Sequence, residues 1–317
     1  MLETPPQSVV WTGSLNHYRI LGSQAPTGFE RKFEHFPTDI AQHTCAVFVD
    51  ILRATTTLVG VAAAGCKGIY VDIKPKTGDY PFVPPHGLAH LGRWVFGGEL
   101  DGKPIIGKDE QGHPIPGIIG NSPCSITKTD FADTYLRFFS TNGSRALGVL
   151  VAAHFRSIHA LSLANIETTV DAILRRKPDR IWFTCGGFYG SGSLEDNIAS
   201  GIAINSLLSR GFTSPELLDD EAHQMLVLGR YYLERQFFRA DAVEIKLREA
   251  QVGRLMHDIG HQADIGAAVS GRGLRDPDLW SKMAEISLVA DPSDRPFVYP
   301  ELVVDGAKSA SAGDPRG

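Results

Sequence analysis

Four short segments of the 317-residue chain set acids, hydroxyls, amides and glycines at spacings suited to chemistry on an anion. The first runs Asp50-Ile-Leu-Arg53-Ala-Thr55-Thr56-Thr57. Asp50 could hold a metal or attack phosphorus. Arg53 could make a forked, charge-assisted contact to phosphate. Thr55 and Thr56 stand where a helix begins, and the free N–H groups of a helix start carry partial positive charge. The same residues also read as a capped helix start with Arg53 on the surface. The second segment is Thr141-Asn142-Gly143-Ser144-Arg145, where Asn142 and Gly143 permit positive φ and so an inward nest of N–H groups, or an ordinary turn. The third is Cys185-Gly-Gly-Phe-Tyr-Gly-Ser-Gly-Ser193-Leu-Glu195-Asp196. Mg²⁺ takes one or two carboxylates together with phosphate oxygens and water, so Glu195 or Asp196 could complete such a site with Asp50. Ser193-x-x-Asp196 is equally the spacing of a capping box. The fourth, Gly120-Asn121-Ser122-Pro123, is a turn with amide and hydroxyl donors.

These segments need elements that bring them together. Apolar runs predict strands at 46–51, 68–73, 94–97, 135–140, 157–161 and 180–185, with another candidate at Ser8–Thr12. Between them, helices are expected over 54–64, 144–153, 167–176 and 195–209, and the region from Pro215 to about Ala268 reads as helical throughout. The first 40 residues otherwise read as irregular, and 74–92 and 98–120 as loop. Strands alternating with helices predict βα units and a mainly parallel sheet, whose ligands sit beyond the carboxyl ends of the strands. All four segments fall at or near such ends. The expected layout is an N-terminal strand and irregular extension over 1–44, one α/β domain over 45–307, and a disordered tail over 308–317.

Rival motifs are few. Leu255-Met-His257-Asp258-Ile-Gly-His261 matches the HD phosphohydrolase signature, with His223 and Asp291 as the remaining ligands, but little chain follows Pro277 to complete the helical bundle such a site needs. The alternative is a helix end with exposed His side chains. His86 and His90 have ligand spacing but no third ligand in view. Cys185 lacks the Cys-x₅-Arg cradle of cysteine phosphatases, because position 191 is Ser. The formal charge of −5 offers nucleic acid no basic face, so no nucleic-acid partner is expected. No apolar run approaches the ~18 residues of a membrane span, and the start has neither the basic nor the apolar segment of a secretory signal. Four cysteines without a CxxC pair read as reduced thiols of a cytoplasmic protein.

The segments VFVDILRATTTLVGVAAAGCKGIYV (Val47–Val71), GGE (Gly97–Glu99), GNSP (Gly120–Pro123), STNGSRAL (Ser140–Leu147) and SLEDNIASG (Ser193–Gly201) resemble, in order, the 2-phosphosulfolactate phosphatase (ComB-like) family. The resemblance implies a three-layer α/β/α fold with a mixed, mainly parallel sheet and a helical C-terminal part. It also implies a Mg²⁺-dependent phosphatase that converts phosphosulfolactate to sulfolactate and phosphate, a step of coenzyme M biosynthesis in methanogens. Carried over by motif, the pocket candidates are Asp50, Arg53, Thr55, Glu99, Asn121, Ser122, Thr141, Asn142, Ser193, Glu195 and Asp196. Asp50, Glu195 and Asp196 are then the metal candidates, and Asp50, Arg53, Glu195 and Asp196 the catalytic ones. Thr56 and the Gly143 N–H join them from the residue reading. The chain departs from the family pattern where Leu100 and Asp101 follow Glu99, and where Ser191 and Gly192 precede the SLED block, positions at which basic residues are usual. Lys108–Gly117 looks like an insertion near the pocket. The expected partner is a small anionic phosphate ester, with a homodimer as the expected assembly.

Overall fold

A computed structural model of the chain describes residues 17–36, 39–73, 80–108, 111, 113–234, 240–290 and 297–302. The strand expected at Ser8–Thr12, the tail 308–317 and Asp291 lie outside them. In chain order the elements are β1 (Ile20–Ser23), α1 (Pro26–Phe33), β2 (Thr44–Val49), α2 (Ala54–Ala63), β3 (Gly68–Val71), β4 (Tyr80–Pro81), β5 (Arg93–Leu100), β6 (Lys103–Pro104), β7 (Ile106–Lys108) and β8 (Pro114–Pro116). They continue with α3 (Lys128–Phe131), β9 (Thr134–Phe139), α4 (Gly143–Ala152), β10 (Ser157–Leu161), α5 (Ile166–Arg175), β11 (Arg180–Cys185), α6 (Leu194–Ser209) and α7 (Asp220–Glu234). The last are α8 (Ala240–Glu249), α9 (Gln251–Asp258), α10 (Ala263–Ser270), α11 (Leu279–Ala284), β12 (Ile286–Ala290) and β13 (Phe297–Leu302). Among the described residues no helix is long and apolar enough to cross a membrane.

This is an α/β protein with a 10-stranded mixed, mostly parallel sheet, in the order β1-β11-β2-β10-β12-β13-β3-β9-β5-β6, and a helical C-terminal region. Strand β2 shows why the sheet has helices on both faces. Cys45, Val47 and Val49 point into one apolar core with Phe183, Ile198 and Leu207, while Ala46 and Phe48 point into another with Leu58, Leu147 and Trp182. Phe29 and Phe36 of the N-terminal segment close on the Trp182 ring, at centroid distances of 5.0 Å each.

Two expectations need correction, and a third feature had none to correct. Residues 20–33 are not irregular: β1 pairs in parallel with β11 and α1 covers it. The stretch read as loop over 98–120 holds short strands, because Asp101 and Gly102 (φ 50° and 78°) make the two-residue turn of a β5–β6 hairpin. The chain beyond the helical region returns as β12 and β13, which stand in the middle of the sheet.

Those two strands set the relative sense of the two halves of the sheet. β1, β11, β2 and β10 run parallel, and β3, β9 and β5 form a second parallel block. Three antiparallel pairings separate them, β10–β12, β12–β13 and β13–β3, so the blocks have opposite sense. A flat sheet would put their carboxyl ends on opposite edges. From β2 to β9 there are five steps, and a twist of ~20–25° per step turns the blocks by ~100–125°. Only ~55–80° then remains between their directions, and the carboxyl ends of β2 and β9 can converge.

Candidate active site

The convergence occurs at Asp50. A Cβ added to Gly143, the first residue of α4, would lie 2.5 Å from Ala54 Cβ and 3.0 Å from Asp50 Oδ2. A Cβ on Gly186, just past β11, would lie 2.8 Å from the same oxygen. Asp50 is thus sandwiched between two glycines, and the starts of α2 and α4 touch. Gly143 is needed for this close approach, not for positive φ. Asn142 is right-handed (φ −91°, ψ −44°), so the expected nest of inverted N–H groups gives way to a plain helix start.

Asp50 is both a cap and a site residue. Its Oδ1 accepts from the Ala54 N–H (3.3 Å), and its own N–H donates to Thr55 Oγ1 (3.2 Å). Thr56 donates to the Ile51 carbonyl (2.9 Å). Thr55 and Thr56 are fully buried and brace the turn; neither faces the cleft. No hydrogen bond to Asp50 Oδ2 is found among the described residues. Burial, and after it the Asp196 and Glu99 carboxylates, push the Asp50 carboxyl well above the usual carboxylate range.

Behind Asp50 stand Glu195 and Asp196, both buried at the start of α6. Asp196 Oδ1 accepts from the Ile51 N–H (2.9 Å) and Oδ2 from the Gly187 N–H (3.1 Å). It therefore ties the end of β2 to the end of β11 and does not cap its own helix, which has no side-chain cap at Ser193. Burial raises Glu195 to about 7 and, with Glu195 next, Asp196 to about 8. Among the described residues no three His, Cys, Asp or Glu side chains are grouped so as to hold a metal ion. A Mg²⁺ ion can be held by one carboxylate with phosphate oxygens and water. The buried acids around Asp50, with its free Oδ2, fit a cation of that kind. Glu195 and Asp196 do not line the cleft with it.

Arg53 is buried, and its Nη1 donates to Asp264 Oδ2 at 3.1 Å. Ser122 donates to the other oxygen, Oδ1, at 2.6 Å. His261 Nδ1 lies 3.5 Å from Oδ2, and burial followed by the Arg53 charge lowers its proton affinity. Asp264, on α10, was not singled out by the sequence reading. It sits three residues past a His that drew attention for another motif.

Glu99 closes the opposite wall. Its Oε1 accepts from Ser140 Oγ (2.9 Å) and the Thr141 N–H (2.7 Å), and its Oε2 from Thr141 Oγ1 (3.1 Å) and the Gly102 N–H (2.8 Å). Four donors leave this carboxylate little capacity for a ligand. It clamps the ends of β5 and β9 together. Asn121 (φ 69°) donates weakly to Ser140 Oγ at 3.4 Å, and its buried Oδ1 has no hydrogen-bond partner among the described residues.

The cleft between these walls has about 630 Å³ of empty space, its open mouth included. Asp50, Arg53, Glu99, Asn121, Thr141 and Asn142, all pocket candidates from the sequence, line it together. Ser122, Ser193, Glu195 and Asp196 lie behind the lining. Asp101, noted in the sequence beside Glu99, lines it too, and the remaining lining residues were unforeseen: Ser140, Gly102 from the hairpin, Leu52, Phe188 and Tyr189, and Val252, Leu255, Met256 and Ile259 from α9 and its end. The i, i+3, i+4, i+7 spacing of the last four was legible as an amphipathic stripe. His257 and Asp258 are 73% exposed on the other side of that helix end, so no HD cluster forms there.

A model of the 2-phosphosulpholactate phosphatase family matches residues 90–272, which include Glu99, Asn121, Thr141, Glu195 and Asp264. Among curated proteins, the chain is 32% identical over 194 residues to the "Probable 2-phosphosulfolactate phosphatase" of Cyanothece sp. (strain PCC 7425 / ATCC 29141), covering 60% of this chain and 72% of the relative. It is 27% identical over 239 residues to the protein of that name from Thermosynechococcus vestitus, covering 73% and 86%. To the one from Prochlorococcus marinus (strain MIT 9303) it is 28% identical over 236 residues, covering 73% and 87%.

Proposed function

The chain belongs to the 2-phosphosulfolactate phosphatase family, a family of phosphoric monoester hydrolases, and from that premise we propose that the cleft at Asp50 hydrolyses a small phosphate monoester to an alcohol and inorganic phosphate. One observation carries this reading: two helix N-termini and a buried arginine converge on one carboxylate at the floor of a cleft. Backbone N–H groups at two helix starts favour an anion, and Arg53 adds the forked donor that suits phosphate.

In this reading the phosphoryl group seats in the cleft beside Asp50, where the starts of α2 and α4 meet, with Arg53 neutralising its charge as the ester bond breaks. Water attacks phosphorus, the phosphorus–ester oxygen bond breaks, and the proton from water ends on the departing alcohol. Asp50 would hold Mg²⁺ through Oδ2, and the ion, when bound, supplies further charge neutralisation at the phosphoryl oxygens. Asp196 positions Asp50 by fixing the strand ends on either side of it. Glu99 keeps Thr141 and Asn142 at the wall, and the apolar residues of α9 exclude bulk water.

Purified protein should release phosphate from small monoesters, phosphosulfolactate among them, with Mg²⁺ present, and lose that activity in EDTA. Full activity in EDTA would remove the metal from the reading. Release from no monoester at all would remove the reading itself.

A further inference from the structure

Resting on the phosphatase reading above, we propose that the ester this cleft is built for carries an apolar body, alkyl or aryl, on its phosphate, in place of the carboxylate and sulfonate of phosphosulfolactate. The charge of the lining comes first. Asp50, Glu99 and Asp101 are acidic, and Arg53 is the one basic residue among the described residues that line the cleft. Arg53 is moreover already paired with buried Asp264. One phosphate can use Arg53 and the two helix starts. A second and a third anion on the same small molecule would face Asp101 and the apolar wall without a cation.

The shape of the opposite wall comes second. Val252, Leu255, Met256 and Ile259 form a continuous stripe on α9 and its end. Val252 and Met256 are buried in the core, but Leu255 and Ile259 remain half-exposed where the stripe meets the cleft. The lip carries an aromatic pair. Phe188 and Ser191 exchange backbone hydrogen bonds (2.8 and 3.0 Å) around a tight turn with Tyr189 and Gly190 at φ 47° and 83°. That turn holds the Tyr189 ring edge-on to Phe188, with centroids 4.6 Å apart, and leaves Tyr189 73% exposed. A large aromatic side chain held out at the mouth of a cleft, beside a half-open aliphatic stripe, is the surface an apolar substituent covers on binding. At one side of the mouth, Gly102 packs against Ile259: a Cβ there would lie 3.5 Å from Ile259 Cδ1. The hairpin turn and the end of α9 thus meet and close that side of the cleft, leaving the aliphatic stripe facing its interior.

The test compares kcat/KM of the whole protein, with Mg²⁺, for four esters: phosphosulfolactate and phospholactate, and phenyl phosphate and isopentyl phosphate. The apolar pair should be preferred by about tenfold or more, the scale on which apolar pockets discriminate. A preference for phosphosulfolactate overturns this inference and leaves the phosphatase reading standing. Turnover of none of the four overturns both. Two variants tie the preference to the wall. Tyr189→Ala should cut kcat/KM for phenyl phosphate several-fold more than for phosphosulfolactate. Leu255→Lys, which adds a cation at a half-exposed position, should shift the ratio towards phosphosulfolactate by about tenfold. Equal effects on both classes of ester, in variants with parental circular dichroism, would show that the wall does not select the substrate.

Discussion

Replacing Asp264 with Ala separates what the Arg53 pair does for folding from what Arg53 does for an anion. Both side chains are nearly inaccessible, at 3% and 1%, and the nitrogen–oxygen distance is 3.1 Å. At an effective dielectric near 20 the gross attraction at that distance is ~5 kcal/mol. Removing one partner from a buried pair costs ~3–5 kcal/mol, because the other charge is left without compensation. Ser122 also loses its acceptor, worth ~1–3 kcal/mol if its hydroxyl stays dry. The two losses share one carboxylate and do not add in full. A drop of ~4–6 kcal/mol corresponds to a fall in Tm on the order of 6–9 °C for a chain of this size. The unpaired Arg53 should then seek a different anion. At 10 mM inorganic phosphate and a dissociation constant of ~0.1 mM, ligand linkage returns ~2.7 kcal/mol. Thermal melts of parent and Asp264→Ala, with and without phosphate, measure both quantities. The variant should gain clearly more from phosphate than the parent, in which Asp264 competes for the guanidinium. A variant that melts within 2 °C of the parent would refute the buried pair. Equal stabilisation of both proteins by phosphate would refute Arg53 as the anion's partner. The double variant Arg53→Met/Asp264→Leu should recover most of the lost stability and none of the turnover.

Asp50→Asn should lower turnover by at least ~10²-fold with the fold intact, since Asn still caps α2. Rapid quench of the parent should show no phosphoenzyme, and a trapped acyl phosphate would move Asp50 from ligand to nucleophile. Gly143→Ala and Gly186→Ala each push a methyl to within 3.0 Å or less of Asp50 Oδ2. Each should cost activity more than Asn142→Ala does, as read from kcat. The raised Glu195 carboxyl makes stability pH-dependent in EDTA: the folded state holds a proton that the unfolded state releases, so stability is full below about pH 4.5 and falls as pH rises towards about 7. Glu195→Gln should therefore raise Tm at pH 8 while changing it little at pH 4.5, and added Mg²⁺ should narrow the difference. His257→Ala, at a 73% exposed position, should leave turnover within a few-fold of the parent.

The local segments of this fold were legible because each carries its own periodicity. The run Cys45–Val49 alternates between two cores, and Ala54–Ala63 is a helix bounded by Gly65 at φ 100°. The Asp101–Gly102 turn was also open to reading, since Asp-Gly is a strong signature of a tight hairpin; the surrounding prolines concealed it. What the sequence could not display was the placement of β12 and β13. Nothing local in ISLVA says that it will separate two parallel blocks of a sheet. That information lies in pairings over long sequence separations, such as Ile158 with Ala290.

The same distance explains the uneven reading of the site. Asp50, Arg53, Glu99, Asn121 and Thr141 stand at strand ends or the turns beside them, where a general rule about parallel sheets finds them. Asp264 and the α9 stripe come from helices that follow the first parallel block, and no rule of strand ends reaches them. Yet these late helices decide the chemistry of the cleft. Without Asp264, Arg53 would be a buried cation with no hydrogen-bonded counter-charge, and without α9 the cleft would be a polar groove open on one side. The residues that recognise phosphate are thus set by the sheet, while those that grip Arg53 and shape the rest of the ligand are set by the helical region. Two members of this family could therefore share the first set and differ in the second, and so hydrolyse different esters with the same phosphate site.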